Sequence, residues 1–125
     1  MFVNSPIYAS LPAADLERAK RFYAEKLGLT PESELPGGLL YCCGGDSRFS
    51  VFTSRGEASG THTQAMWLVE DVESAVAALK ARGVVFEEYE MPSLKTVNSI
   101  ATVGPGKGAW FQDSEGNLLS LVQFV

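Results

Sequence analysis

The chain has 125 residues, 46% of them hydrophobic and 20% charged, the balance of an ordinary globular protein with enough apolar material for one core. A net charge of -5 and a pI near 4.8 repel phosphate backbones, so nucleic acid is not an expected partner. No apolar run approaches the roughly 20 residues of a membrane span, and residues 1–6 lack the basic segment and apolar run of a signal peptide; the expectation is a cytoplasmic protein with no membrane partner.

In chain order, residues 7–11 read as a short strand ended by Pro12. Asp15 is placed to cap a helix whose apolar residues Leu16, Ala19, Phe22, Tyr23 and Leu27 recur at helical spacing, and Gly28 is placed to stop it. Strands are expected near 32–35 and 39–43 around a Pro36-Gly37-Gly38 turn, then, after Gly44-Gly45-Asp46, over 48–54. Residues 55–61 are small and polar, as in a linker. A strand over 64–69 follows, then a helix capped by Asp71, with Val72, Ala75, Val76 and Leu79 as its stripe and Gly83 as its stop. Strands over 84–88, 108–112 and 118–124 complete the reading, with an irregular stretch over 91–106 and a turn at Asp113-Ser114-Glu115-Gly116-Asn117.

The order strand, helix, three strands thus occurs twice. Asp15-Leu16-Glu17 with Ala19 aligns with Asp71-Val72-Glu73 with Ala75, and Arg48-Phe49-Ser50-Val51 aligns with Leu118-Leu119-Ser120-Leu121. A repeated unit of this kind points to duplication, with halves of about 1–56 and about 61–125. The adjacent Cys42 and Cys43 point to opposite strand faces, which disfavours a bridge between them, and no zinc-type spacing occurs. They read as two small buried side chains in a reducing compartment.

The stretch Leu11-Pro12-Ala13-Ala14-Asp15-Leu16-Glu17-Arg18-Ala19-Lys20-Arg21-Phe22-Tyr23, closing with Leu27-Gly28-Leu29, resembles the opening motif of the vicinal oxygen chelate superfamily, the glyoxalase, bleomycin-resistance and dioxygenase group. Val69-Glu70-Asp71-Val72-Glu73-Ser74-Ala75, Ala81-Arg82-Gly83-Val84 and the segment from Ala109 to Leu119 extend the resemblance over nearly the whole chain. Ser114 departs from it, standing where the family usually has proline. The resemblance implies an α+β fold in one domain: two βαβββ modules form a curved mixed sheet around a central cup, with helices on the convex side. It also implies a homodimer.

Strand alternation places Tyr8, Ser10, Ser50, Phe52, Gln64, Met66, Trp110 and Ser120 as candidate ligand-binding residues of that cup, with Ile7, Ala9 and Leu11 and with Ala65, Trp67 and Val69 facing the helices. Tyr41 and Phe124 are further aromatic candidates. The resemblance puts the metal-ligand positions of metal-dependent relatives at Tyr8, Ser50, Gln64 and Ser120. A dication wants imidazole and carboxylate donors, and this set offers neither. No metal and no cofactor are therefore expected, and no catalytic residue is assigned.

The expected function is metal-independent binding of a small molecule, such as sequestration of a drug or metabolite. The alternative is a divergent metal-dependent lyase or dioxygenase, with ligands drawn from His62, Glu87 or Glu115. A third reading is a dimeric domain whose cup is filled by its own side chains. His62 reads first as a linker residue. Residues 93–101 form a long connection, either a surface loop or a lid presenting Lys95 and Asn98. Glu87, Glu88 and Glu90 read as a solvated strand end, and Gly104-Pro105-Gly106 is not a phosphate loop.

Overall fold

The computed structural model describes residues 1–54, 56, 58 and 60–124. Of the linker expected over 55–61, Arg55, Glu57 and Ser59 lie outside the described residues. The first half consists of β1 (Ala9–Ala13), α1 (Leu16–Leu27), β2 (Ser33–Leu35), β3 (Gly38–Cys42) and β4 (Arg48–Thr53). The second consists of β5 (Thr63–Leu68), α2 (Val72–Ala81), a two-residue hairpin β6 (Glu90–Met91) and β7 (Leu94–Lys95), then β8 (Ala101–Val103), β9 (Gly106–Gln112) and β10 (Leu118–Phe124). Two four-stranded mixed sheets result, in the orders β1-β4-β3-β2 and β5-β10-β9-β8. The fold is α+β, two βαβββ modules, with the small hairpin inserted in the second.

The helices begin and end where the sequence places caps. Asp15 accepts from the Arg18 amide at 3.0 Å, and Asp71 accepts from the Glu73 and Ser74 amides, satisfying donors that have no partner inside the helix. Gly28, at φ 69°, supplies the left-handed residue that stops α1.

The repeat holds at the level of register. Ser10 and Met66 stand equally far ahead of the two capping aspartates. In the parallel ladders Ser10 pairs with Ser50 and Met66 pairs with Ser120, so Ser50 and Ser120 occupy equivalent positions. On the next strand over, Leu40 opposite Ser50 corresponds to Trp110 opposite Ser120.

Four expectations are corrected. The two cysteines are not buried: Cys42 is exposed and Cys43 half-buried, because β3 ends there. The first strand is Ala9–Ala13 rather than 7–11: Ile7 is almost fully exposed ahead of it, and Pro12 lies inside it. Pro12 is tolerated because β1 is an edge strand. Its carbonyl accepts from Asn117 Nδ2 at 2.9 Å, away from β4. A residue's N–H and C=O share a side of the strand, so the missing donor costs no ladder bond. Residues 84–88 make only an isolated bridge, Phe86 to Phe111. The third strand of the second sheet is instead β8, inside the stretch read as irregular. The rest of that stretch is tied down by Glu88, which accepts from the Thr96 hydroxyl, the Ser99 hydroxyl and the Ser99 amide. Those bonds hold its carboxyl below the usual carboxylate range.

One contiguous core fills the helix side of both sheets. Tyr23, Tyr41 and Phe49 pack together, with Tyr41 and Phe49 stacked at 4.8 Å, and Phe49 meets Trp67 of the second module edge-on at 5.6 Å. Polar contacts join the modules at the β9–β10 turn. Tyr23 Oη donates to Asp113 Oδ2 at 2.7 Å, and burial beside that carboxylate raises the phenol's pKa. The Glu115 side chain, closed to solvent, accepts from Arg18 Nε at 2.7 Å, from Arg18 Nη2 at 3.0 Å and from the Asp15 amide at 2.9 Å.

These donors outweigh the desolvation of Glu115 and bring its pKa down to about 2. A folded pKa below the ordinary 4.5 stabilises the fold above pH 4.5, and that contribution is lost as the pH falls toward 2. Glu115→Gln keeps the side-chain volume and removes the charge. It should cost about 2 kcal/mol at pH 7 and flatten the acid limb of the stability curve between pH 4.5 and 2, as read by urea denaturation at a series of pH values. A steep limb retained in the variant would assign the acid sensitivity to another group.

Candidate functional site

The sheet faces turned away from the helices carry the candidate residues. On the first sheet Ser10 and Ser50 hydroxyls hydrogen-bond each other at 3.0 Å, and Phe52 lies beyond them, exposed. Arg48, on the same face, donates Nε to Glu32 at 2.8 Å, and this bond and charge raise the arginine pKa. Tyr8 sits ahead of β1 rather than within it and is 44% exposed. Tyr41 is not part of this face: it is fully buried on the helix side, where alternation with Leu39 puts it. Its hydroxyl lacks a partner there, and burial pushes its pKa up to about 12.

On the second sheet Met66, Ser120 and Trp110 form one row across β5, β10 and β9. Ser120 is buried between its neighbours, and Met66 is exposed. Gln64 falls at a bulge where β10 skips a residue of β5, and its amide oxygen is buried with no donor among the described residues. The Trp110 indole donates Nε1 to Thr63 Oγ1 at 3.2 Å and meets Tyr89 edge-on at 5.7 Å. Its six-membered ring folds over Gly108: a Cβ there would stand 3.2 Å from Cη2. The ring, Val122, Phe124 and Val103 line a shallow recess of about 120 Å3. The candidates therefore include a hydroxyl pair on the first sheet and, on the second, a row of one thioether, one hydroxyl and one indole.

The metal-ligand set implied by the resemblance does not fit a dication. The hydroxyl of Ser50 is engaged with Ser10, Tyr8 is off the strand, Ser120 is a neutral hydroxyl, and Gln64 supplies one amide oxygen. Among the described residues no group of three His, Cys, Asp or Glu side chains gathers to hold an ion. Of the alternative ligands, Glu115 is committed to Arg18 and the α1 cap, and His62 lies in an exposed bend before β5. Lys95 and Asn98 belong to the segment held by Glu88. Lys95 is exposed 4.0 Å from Glu90, and Asn98 takes a positive φ of 52°.

The model of the Glyoxalase/Bleomycin resistance protein/Dioxygenase superfamily matches residues 6–121. The chain belongs to this superfamily. Among solved structures, TnmS3, an antibiotic binding protein from Streptomyces sp. CB03234, is 24% identical with a TM-score of 0.71, covering 100% of this chain and 99% of its own. UcmS2 is 20% identical with a TM-score of 0.74 over 94% and 96% of the two chains. A glyoxalase family protein from Enterococcus faecalis is 22% identical with a TM-score of 0.72 over 98% and 99%. At these identities the likeness is one of fold. No curated protein matches the chain.

Sequence reasoning missed Tyr89 and Gly108 as neighbours of the Trp110 ring. Tyr89 comes from the connection before β6, outside any strand alternation. Gly108 has a sequence signal: it stands two residues before a tryptophan on the same strand face, where only a missing side chain leaves room for the ring to lie flat.

Two glycine substitutions separate ring placement from backbone fit. In Gly108→Ala the nearest atoms belong to the Trp110 side chain, at 3.2 Å, rather than to backbone, so near-ultraviolet circular dichroism should change while stability falls by less than about 1 kcal/mol. In Gly106→Ala the new Cβ would stand 2.7 Å from the Gln123 carbonyl oxygen, so the backbone must shift and stability should fall by about 2 kcal/mol. Equal losses in both would mean that Trp110 is locked rather than mobile.

Proposed function

We propose that this chain is a metal-independent binding protein that sequesters a small, largely apolar aromatic molecule on the Trp110 face. The carrying observation is the row Met66, Ser120 and Trp110: a flat indole and a thioether with one hydroxyl between them, and no imidazole or carboxylate among the candidate residues. Apolar walls with a few polar groups bind by shape and stacking. General acid–base or Lewis-acid chemistry needs a titratable or metal-binding set. The fold shared with TnmS3, described as an antibiotic binding protein, supports a ligand of drug-like size.

The working unit in this reading is a cytoplasmic homodimer. The recess on the second sheet, about 120 Å3, falls short of the roughly 300 Å3 of small-molecule sites. Phe52, Met66, Leu68 and Phe124 are left exposed on the two sheet faces. Such uncovered apolar side chains suit coverage by a second copy that completes the cup. The exposed thiol of Cys42 suits a reducing compartment.

Titration with planar aromatic antibiotics in a Trp67→Phe background should quench Trp110 fluorescence saturably. Trp110→Ala should weaken the best ligand, followed by calorimetry, by about tenfold or more. Elemental analysis of protein purified without chelator should find divalent metal well below one equivalent; a stoichiometric ion would overturn the reading in favour of a metal-dependent lyase or dioxygenase. Light scattering should give twice the chain mass, and Met66→Lys should shift it toward the monomer. A monomeric native chain would remove the proposed cup.

A further inference from the structure

On the opposite, helix side of the sheets lies a second cavity that the cup reading does not use. It runs between the C-terminal ends of α1 and α2 and has a volume of about 450 Å3. Leu27, Leu29, Trp67, Val69, Leu79 and Leu121 form apolar parts of its wall. Trp67 and Leu121 are sequence neighbours of Met66 and Ser120, so strand alternation puts them on the other face of the same sheet. The volume lies within the roughly 300–1,000 Å3 of small-molecule sites.

A cation, Arg82, lines the cavity. Lys26 of α1 donates Nζ to the Arg82 carbonyl at 2.8 Å, which engages an unpaired carbonyl at the end of α2. Arg82 folds back over Gly28 at the end of α1, where a Cβ would stand 3.0 Å from Nη1, and lines the cavity. Among the described residues no aspartate or glutamate lines it. Among the described residues no carboxylate pairs with the Arg82 guanidinium. A guanidinium without a counter-ion in a chain of net charge -5, set at the mouth of an apolar crevice, matches a ligand with an oily body and one carboxylate head.

We propose that the inter-helix crevice binds an amphipathic monocarboxylate, its apolar body against Trp67, Leu79 and Leu121 and its head on Arg82. The site lies on the other side of the sheet from Met66 and Trp110, and Leu68 at its edge is the one cup-face residue named above that also lines it. Decanoate is the probe, with decanol as its uncharged counterpart, and isothermal calorimetry with amide chemical shifts is the readout on the full chain. Decanoate should bind saturably and at least fivefold more tightly than decanol, with shifts centred on Leu29, Trp67 and Leu79. Arg82→Gln, at an exposed position, should reduce decanoate to the decanol level while leaving decanol unchanged, and Arg82→Lys should restore part of the difference. Ala78→Trp, which plugs the crevice from an exposed helix position, should weaken both probes about tenfold; circular dichroism verifies that the variants are folded. Equal binding of decanoate and decanol would overturn the proposal, as would indifference to Arg82→Gln. So would shifts centred on Trp110 and Ser120. A change of oligomeric state in Ala78→Trp with decanoate binding intact would make the crevice a seat for a second copy instead, and would equally sink it.

Discussion

Asp113 is a carboxylate withdrawn from water, and the way its oxygens are satisfied holds the two halves of the molecule in one arrangement. Tyr23 Oη and Asn117 Nδ2 donate to Oδ2, and the amides of Glu115 and Asn117 donate to Oδ1. An isolated buried carboxylate is costly; four donors offset that cost only while all are in place. Tyr23 comes from α1, and the same Asn117 amide group also reaches the Pro12 carbonyl of β1. One turn of the second module therefore grips a helix and a strand of the first. The Glu115 bonds to Arg18 and to the first amide of the α1 cap add a charged clamp beside it.

With that arrangement set, the duplicated modules present unlike faces. Equivalent positions carry Ser10 with Ser50 in one half and Met66 with Ser120 in the other, and Leu40 in one half stands where Trp110 stands in the other. The first sheet's hydroxyls satisfy each other, leaving little to offer a ligand. The second sheet keeps a flat ring over a glycine. Asymmetry between halves that share a register gives a repeated scaffold two chemically different faces, one of paired hydroxyls and one with an indole.

Much of this was legible in the residues. The capping aspartates, the glycine stops and the serine correspondence follow from local chemistry and periodicity, and the structure has them in register. What escaped had physical reasons. Residues 84–88 are rich in β-branched and aromatic side chains, yet they touch β9 only at one bridge, Phe86 to Phe111 with Glu87 N donating to the Trp110 carbonyl, while β8 pairs with the other end of β9. β8 itself is three residues long, too short for alternation to signal. Tyr41 looks like a cup aromatic in composition, and only its pairing opposite Phe49 puts it in the core. The grip of Asp113, Glu115 and Asn117 on the other module spans roughly the whole chain, beyond the reach of any local pattern.

The proline inside β1 has a bearing on how the protein behaves in a crowded solution. A free strand edge is a template for another chain, because it offers unpaired amides and carbonyls in sequence. At Pro12 the outward amide hydrogen does not exist, and the outward carbonyl is already held by Asn117. The ladder of the first sheet therefore cannot be extended across that point, either by β5, which approaches without pairing, or by a strand from a neighbour. The same residue that interrupts the sequence pattern acts as a guard against edge-to-edge association and fibre growth, at no cost to the hydrogen bonds inside the sheet.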